Sequence, residues 1–313
     1  MSLDPSRRAV TVAYLQVVLA GVLWATSGPF SIALYRMGIP PTSVALLRPA
    51  AGVVFMGLLL LPRGLGAFRL DRKGALGLLV LGGLVVGVFQ LAYQMSTAAV
   101  GVPATVALLY LAPAYVVGMS ALFLGERLTL LRGGLALLSV AGVWLTVFGT
   151  RGVDVELSAQ GILWGCVCGL TYGSYTLFGK VFGRQYGALV PLFWSTLGGT
   201  LLLSLTWAVR REPVVLPDSA LAWGVLLAFG FFTMAAAALL LFHAMRTLEA
   251  GRASIGTTVE PLAATLLAVV LLDQTLTAGG WMGLSLLLLG VTGAYATGVR
   301  GPRARPPVHS EGP

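Results

Sequence analysis

One carboxylate stands inside an apolar stretch that is long enough to cross a bilayer. Glu260 is the sole ionisable residue between Ala253 and Leu272. A charged group at mid-bilayer costs at least ~2.5–3.5 kcal/mol, so we expect this side chain to face a cavity rather than lipid. Two interpretations fit. Glu260 binds a substrate amine, couples transport to protons, or does both; alternatively it stays neutral or pairs with Arg48 as a packing element between helices.

Arg48 is the second charge inside an apolar segment, in the stretch VALLRPAAG at 44–52. If its helix begins near Pro41, the residue lies about two turns into the span. Its guanidinium can bind a carboxylate through two parallel hydrogen bonds, or the side chain can snorkel to the outer interface. If Arg48 and Glu260 both face one cavity, they match the two ends of a zwitterion, which favours an amino acid as substrate.

Two prolines predict breaks in the helices around these charges. Pro261 follows Glu260 directly, and because proline has no N–H, the carbonyl of Thr257 loses its normal helical partner. Pro113 has the same effect on the carbonyl of Leu109. We therefore expect both helices to kink and to leave polar backbone beside the carboxylate, which is tolerated at membrane depth where it lines a cavity.

Other polar and aromatic residues within the spans are candidates for the cavity wall. Aromatic faces attract ammonium groups, although membrane aromatics also form interfacial belts. Gln90 and Gln94 share one helix face, and they either line the cavity or form hydrogen bonds between helices. His243, near the end of its span, is either a proton relay or a solvated interfacial residue. The remaining candidates are Trp24, Gln90, Tyr93, Gln94, Tyr110, Trp164, Tyr172 and Tyr175.

Composition indicates an integral membrane protein. The chain of 313 residues is 57% hydrophobic and only 10% charged, whereas soluble domains average about 25% charged residues. The net charge of +9 is explained by basic loops beside the membrane, so no nucleic-acid partner is expected. Cys166 and Cys168 predict neither a disulfide framework nor a metal site. No phosphate-binding motif or catalytic constellation is present, so we expect no cofactor, no ATP coupling within the chain and no enzyme.

The hydropathy pattern predicts ten membrane-spanning helices and hence an all-α membrane protein. Segments 12–149 and 158–298 each hold five of them, residues 1–11 form the N-terminus, and residues 299–313 form a polar, proline-rich tail expected to be disordered. The predicted spans are 12–35, 41–62, 74–97, 102–124, 129–149, 159–183, 188–209, 219–245, 252–272 and 278–298.

The basic residues predict the orientation. With the N-terminus inside, fifteen Lys and Arg residues fall on the inner side and four on the outer side. The positive-inside rule therefore places both termini in the cytoplasm. The outer four are Arg36, Arg151, Arg210 and Arg211.

The two halves of the chain resemble each other. GVLWATSG at 21–28 matches GILWGCVC at 161–168, and LAPAYVVGMSALFLGERL at 111–128 matches VEPLAATLLAVVLLDQTL at 259–276. This alignment pairs Pro113 with Pro261 and Glu126 with Gln274. Because each half has an odd number of helices, the second copy enters from the opposite side, which is a common plan of secondary transporters with a site near the midplane.

These features resemble the EamA-type transporters of the drug/metabolite transporter superfamily, and the resemblance covers almost the whole chain. The stretch LFLGERL at 122–128 and the Glu260–Pro261 pair are similar to its amino-acid and metabolite exporters. The chain departs from that pattern where Asp273 and Gln274 replace Gly-Glu in the second copy. The resemblance implies a ten-helix inverted-repeat fold with cytoplasmic termini that exports small polar or amphipathic solutes.

Together these observations predict a secondary transporter in the bacterial cytoplasmic membrane. It exports small amphipathic metabolites, amino acids above all, by alternating access, either coupled to protons or down the substrate's own gradient. Export of aromatic or quaternary cationic drugs is the alternative, and a lipid flippase is a further one. The partners implied are a small-molecule substrate, the lipid bilayer and, in the coupled mechanism, protons.

Overall fold

A computed structural model describes residues 5–115, 129–152, 155–186, 189–248 and 250–298 of the chain. The predicted C-terminal tail and the Glu126 region therefore lie outside the described residues. In chain order the α-helices are α1 (Pro5–Ala25), α2 (Ser27–Arg36), α3 (Pro41–Leu60), α4 (Arg72–Gly74), α5 (Gly83–Leu109), α6 (Leu130–Gly149), α7 (Ala159–Tyr186), α8 (Leu189–Arg210), α9 (Ala220–Gly230), α10 (Ala237–Ala244), α11 (Ala250–Thr257), α12 (Val259–Leu272) and α13 (Ala278–Gly298).

Shorter elements join or continue these helices. Two π-helices, Ala75–Gly82 and Phe231–Ala236, connect α4 to α5 and α9 to α10. The 3₁₀ helices Leu61–Arg63 and Leu65–Phe68 follow α3. The strands β1 (Thr150–Arg151) and β2 (Thr275–Leu276) form one antiparallel pair, with Thr150 opposite Leu276. This pair joins the end of α6 to the loop before α13.

The described helices make the chain an all-α, multi-pass membrane protein. Six of their continuous stretches are long and apolar enough to cross a bilayer, and two shorter apolar helices, Gly133–Gly149 and Ala278–Ala294, accompany them. The six are Ala9–Arg36, Pro41–Arg63, Arg72–Leu109, Leu189–Arg210, Ala220–Ala244 and Ile255–Leu272. Five of these stretches fall on single predicted spans, whereas Arg72–Leu109 runs through the predicted span 74–97 and into the predicted span 102–124. The non-helical residue Gly101, with φ +80°, kinks α5 between the two. The count of ten and the side of each terminus stay predictions.

Three helices end four residues before a proline. The α1, α5 and α11 helices end at Ala25, Leu109 and Thr257, and the prolines that follow are Pro29, Pro113 and Pro261. In each case the last helical residue is the one whose carbonyl the proline leaves without an N–H partner. A further helical segment begins at residue 112. The predicted breaks at Pro113 and Pro261 thus coincide with helix ends, and Pro29 adds a third break inside the first predicted span.

Small residues allow the helices to approach closely. On α7, side chains added at Gly165 or Gly169 would overlap Leu108 of α5. On α6, a side chain at Gly142 would overlap the backbone of α13 at Leu287. The glycines spaced by four on α7 therefore form a close-packing surface against α5. The largest buried apolar cluster lies along α5 and the turn that follows it, and it surrounds the region where the proline breaks meet.

Candidate functional site

A cavity of about 150 Å³ lies between α1, α2, α3, α5, α7, α8, α12 and the π-helix at 231–236. Most of its wall is apolar, and opposite charges face it from α3 and α12. Five residues predicted from the sequence line it: Trp24, Arg48, Gln90, Tyr172 and Glu260. The other lining residues are Ser27, Val86, Phe89, Leu109, Leu192, Thr196, Thr233, Met234 and Ala238.

Arg48 is held inside the protein by three hydrogen bonds. Only 6% of the residue is exposed. Its Nη1 donates to Gln90 Oε1 at 3.2 Å. Its Nη2 donates to Thr233 Oγ1 at 3.2 Å and to Ser27 Oγ at 3.5 Å. The guanidinium is therefore turned towards the cavity and fixed by neutral acceptors from three other elements.

The guanidinium plane also lies against aromatic rings. The Cζ atom of Arg48 is 4.6 Å from the ring centroid of Phe229 and 5.7 Å from that of Tyr93. Such contacts stabilise a cation, most of all where water is excluded. The Nε atom is buried and has no hydrogen-bond partner within the described residues. One N–H of the arginine thus remains unsatisfied in this arrangement.

Glu260 is half-buried at the start of α12, where the Pro261 break brings two polar groups together. Tyr110 lies at the turn after α5, and its hydroxyl lies 3.0 Å from Glu260 Oε2 and 3.2 Å from the carbonyl oxygen of Thr257. That carbonyl is the one that Pro261 leaves without a helical donor. Tyr110, from the first half of the chain, therefore supplies the hydroxyl that both groups of the second half share.

Glu260 and Arg48 line the same cavity without forming an ion pair in the part of the chain that the structure describes. The interpretation in which the two charges pair directly as a packing element is not the arrangement observed. A buried charge without an opposite partner is costly. The cavity therefore presents one positive and one negative group that a bound molecule can reach separately.

Aromatic residues complete the cavity wall. Trp24 Nε1 donates to the carbonyl oxygen of Thr233 at 3.0 Å, which fixes the indole beside the π-helix. The rings of Phe89 and Tyr172 lie 6.0 Å apart. These three rings give the cavity an apolar side that can hold an aliphatic or aromatic substituent.

Other predicted site residues do not line this cavity. The ring of Tyr93 contacts the guanidinium of Arg48, and Gln94 Oε1 accepts a hydrogen bond from the hydroxyl of Tyr35 at 2.6 Å. Trp164 packs against the core beside α5. Tyr175 lies in α7, and its side chain is outside the described part of the chain. His243 is exposed near the end of α10.

Three polar or aromatic contacts were missed from the sequence. Ser27 and Thr233 bond the arginine, and Phe229 stacks on it. Ser27 stands two residues before Pro29, and that proline was a usable signal for another helix break. Thr233 and Phe229 carry no such signal, because threonine and phenylalanine are common in apolar spans. Within the described residues, no group of three His, Cys, Asp or Glu side chains could hold a metal ion.

An all-α membrane protein with opposite charges around a small internal cavity has the features expected of a membrane transporter of small molecules. The chain belongs to the EamA-like transporter family, which matches it twice, at residues 11–148 and 159–296. The family and the two copies predicted from the sequence motifs are thereby confirmed.

Individual relatives carry the same broad description. The chain is 29% identical over 284 residues to a protein of Archaeoglobus fulgidus named "Uncharacterized transporter", a match that covers 89% of this chain and 94% of the relative. It is 26% identical over 159 residues to "Uncharacterized transporter YwfM" of Bacillus subtilis (strain 168). That second match covers 49% of this chain and 51% of the relative, so the chain spans about half the length of this Bacillus protein.

The fold recurs in a solved structure. The superposition on a chain from a crystal structure covers 92% of this chain and 97% of the chain in that crystal structure, with a TM-score of 0.64 and 22% sequence identity. At this identity the likeness concerns the fold alone.

Proposed function

We propose that the protein is a secondary transporter that exports small amphipathic metabolites, amino acids above all, by alternating access through the central cavity. In this proposal Arg48 binds the substrate carboxylate and Glu260 binds its ammonium group. The observation that carries the proposal is the presence of both charges on one cavity without a direct ion pair between them.

The energetics favour a zwitterionic ligand. Each of the two charges is expensive to keep out of water unless an opposite charge or several hydrogen bonds compensate for it. Arg48 has neutral acceptors and aromatic faces but keeps a buried Nε without a partner. A carboxylate at the guanidinium and an ammonium group at Glu260 would compensate both charges, whereas a ligand with a single charge would compensate only one of them.

The size of the cavity favours a small ligand. Its volume of about 150 Å³ is similar to that of an engineered cavity of about 150 Å³ that binds benzene. Pockets for drug-sized ligands are larger, about 300–1,000 Å³. In this conformation the cavity fits an amino acid better than a bulky lipophilic cation.

We further propose that Glu260 couples transport to protons. Its carboxylate accepts a hydrogen bond from Tyr110, which belongs to the other copy of the repeat. If the two copies move against each other, this bond changes, and the affinity of Glu260 for a proton changes with it. A facilitator that uses only the substrate gradient is the competing mechanism.

The proposed topology has ten spans in two inverted copies, at 12–149 and 158–298, with both termini in the cytoplasm and the protein in a bacterial cytoplasmic membrane. The excess of Lys and Arg on one side supports this orientation. In such a plan the substrate site lies between the copies near the midplane, and the residues that line the cavity come from both copies.

The second candidate function is export of aromatic or quaternary cations. The specific observation in its favour is that Trp24, Phe89 and Tyr172 line the cavity together with a single acid, Glu260. Aromatic faces and one carboxylate suit a cation without a carboxylate of its own.

A counterflow experiment in proteoliposomes tests the proposal and separates the two candidates. Proteoliposomes that contain the purified protein are loaded with a neutral amino acid. The same amino acid, its decarboxylated amine, its deaminated acid or a quaternary aromatic cation is then added outside. We expect the intact zwitterion to exchange fastest and Arg48→Gln to remove its advantage over the amine. Exchange of the cation, unchanged in Arg48→Gln and without amino-acid exchange, would support the second candidate. Arg210→Gln is the matched control, because Arg210 is 67% exposed, pairs with Glu212 and does not line the cavity.

A second arm tests the coupling. Uptake driven by a pH gradient is compared with counterflow in wild type and in Glu260→Gln. Loss of the pH-driven uptake in the variant supports coupling through Glu260. If both activities are unchanged, Glu260 does not couple protons to transport.

A further inference from the structure

A short π-helix interrupts the span that runs from Ala220 to Ala244, and it places Thr233 against the cavity. π-helices are rare, widen one turn of the helix and occur frequently at functional sites. Thr233 is 2% exposed, so both its side chain and its backbone are committed to contacts inside the protein.

Thr233 contacts two cavity residues from two different helices. Its carbonyl oxygen accepts the indole N–H of Trp24 at 3.0 Å. Its hydroxyl accepts a hydrogen bond from Arg48 Nη2 at 3.2 Å. One residue of the π-helix thus fixes an aromatic group of α1 and the guanidinium of α3 at the same time.

The direction of the hydroxyl is set by its own helix. Thr233 Oγ1 donates to the carbonyl oxygen of Phe229 at 2.7 Å. A hydroxyl has a single proton and two lone pairs. Because the proton is used towards Phe229, the lone pairs are left for Arg48, and the arginine must act as the donor. The ring centroid of Phe229 also lies 4.6 Å from the Cζ atom of Arg48. Phe229 and Thr233 therefore hold the guanidinium together, Phe229 through its ring and Thr233 through a hydrogen bond to Nη2.

The arginine is therefore anchored at its two terminal nitrogens and unsatisfied at the third. Gln90 holds Nη1, Thr233 and Ser27 hold Nη2, and Nε is buried without a partner in the described part of the chain. A carboxylate binds an arginine strongly only when the guanidinium plane is correctly oriented. Anchoring removes the rotational freedom that an arginine otherwise loses on binding.

We infer that Thr233 is a positioning residue that sets the selectivity for a carboxylate at Arg48. This inference rests on the proposed function, because it assumes that the substrate carries a carboxylate to the cavity. Thr233 does not contact that carboxylate in this proposal; it acts by holding Arg48 so that the guanidinium faces the cavity in which the substrate binds.

The test compares Thr233→Val, which keeps the shape and removes the hydroxyl, with Thr233→Ser, which restores the hydroxyl. The readout is the KM for a neutral amino acid relative to the KM for its decarboxylated amine. We expect Thr233→Val to raise the amino-acid KM at least about tenfold, as for loss of a hydrogen bond to a charged group, and to raise the amine KM much less. Thr233→Ser should return the amino-acid KM to near the wild-type value.

Thr146→Val is the matched control. Thr146 is fully buried in α6, and its hydroxyl donates to the carbonyl oxygen of Gly142 at 2.9 Å, which reproduces the local bond of Thr233 without an arginine. A purely structural role for Thr233 would predict equal changes of KM for amino acid and amine, or equal effects of Thr146→Val. Either result would overturn the inference.

A measurement without substrate separates failure of this inference from failure of the proposed function. A double-mutant cycle on thermal stability combines Thr233→Val with Arg48→Met. We expect Thr233→Val to lower the Tm clearly in the wild-type background and less in the Arg48→Met background. Equal effects in both backgrounds would show that Thr233 does not hold Arg48. If the cycle shows coupling while the protein exchanges no amino acid, the positioning contact stands and the proposed substrate is wrong.

Discussion

The same backbone device occurs in both copies of the repeat, but only one copy carries the acid. In the first copy α5 ends at Leu109, four residues before Pro113; in the second α11 ends at Thr257, four residues before Pro261. The residue directly before the proline is an alanine in the first copy and Glu260 in the second. A helix thus ends at the equivalent proline in each copy, and the neighbouring side chain determines what chemistry the break can support.

The two copies contribute complementary groups to one hydrogen-bonded contact. The first copy contributes Tyr110, and the second contributes the carbonyl of Thr257 and the carboxylate of Glu260 that its hydroxyl reaches. A single hydroxyl therefore connects the two breaks. Any movement of one copy relative to the other changes the surroundings of the acid, which is what a coupled transporter requires.

The largest effect is expected from placing an acid in the first copy. Ala112, the counterpart of Glu260, is 4% exposed. Ala112→Glu buries a carboxylate without a partner and should lower the free energy of unfolding by about 3–5 kcal/mol. The measurement is unfolding by SDS in mixed micelles. Ala112→Gln is the control of nearly equal size, and equal losses for both variants would show that bulk rather than charge is responsible.

The next effect is expected from removing the connection between the copies. Tyr110→Phe leaves the carbonyl of Thr257 and the carboxylate of Glu260 without the tyrosine hydroxyl, so we expect a loss of about 1–3 kcal/mol of unfolding free energy and a shifted pH dependence of transport. Tyr35→Phe is the control, because it removes a hydroxyl that bonds Gln94 instead. An identical pH profile for wild type and Tyr110→Phe would contradict the role of the hydroxyl.

Restoring the backbone donor at one break at a time sharpens the comparison. Pro261→Ala supplies an N–H for the carbonyl of Thr257, which competes with Tyr110 for it. One such hydrogen bond is worth about 1 kcal/mol, or about fivefold in a rate. We expect higher thermal stability and about fivefold slower transport. Pro113→Ala should slow transport less, because no acid stands beside that break; equal slowing would remove the functional difference between the copies.

The smallest effect on stability is expected at an exposed contact between a tyrosine hydroxyl and a carboxylate, the same pair of groups as Tyr110 and Glu260. The hydroxyl of Tyr186 and the backbone N–H of Gly74 both bond Asp71 in the loop before α4, and they lower the pKa of Asp71 from its ordinary value of 3.8. Because the folded-state pKa is the lower one, the stabilisation is complete above pH 3.8 and is lost as the pH falls through the lowered value.

Asp71→Asn should therefore have a slightly lower Tm than wild type at neutral pH, and the difference should vanish in acid. The comparison is made by thermal unfolding in detergent above and below pH 3.8. Because the pair is exposed, the effect stays small. A difference that grows as the pH falls would contradict the assignment.

The sequence was sufficient for the apolar spans that the described helices bear out, for the helix breaks and for the two charges inside the spans, for physical reasons that act locally. Bilayer thickness sets the length of an apolar helix, and Pro261 removes one particular hydrogen bond wherever it stands in a helix. The groups that hold Arg48 were not predictable in this way. Gln90 lies 42 positions from it and Thr233 lies 185 positions from it, and a π-helix leaves no mark on hydropathy. These contacts depend on how distant helices pack, which local patterns do not specify.

The central claim is that Arg48 and Glu260 bind opposite ends of one small zwitterion in one cavity. The most direct measurement is equilibrium binding of a neutral amino acid to the purified protein, in wild type, Arg48→Gln and Glu260→Gln, with Glu212→Gln as an exposed control. We predict that each cavity variant weakens binding at least about tenfold, since each leaves one charge of the ligand uncompensated. Unchanged affinity in both cavity variants would contradict the claim.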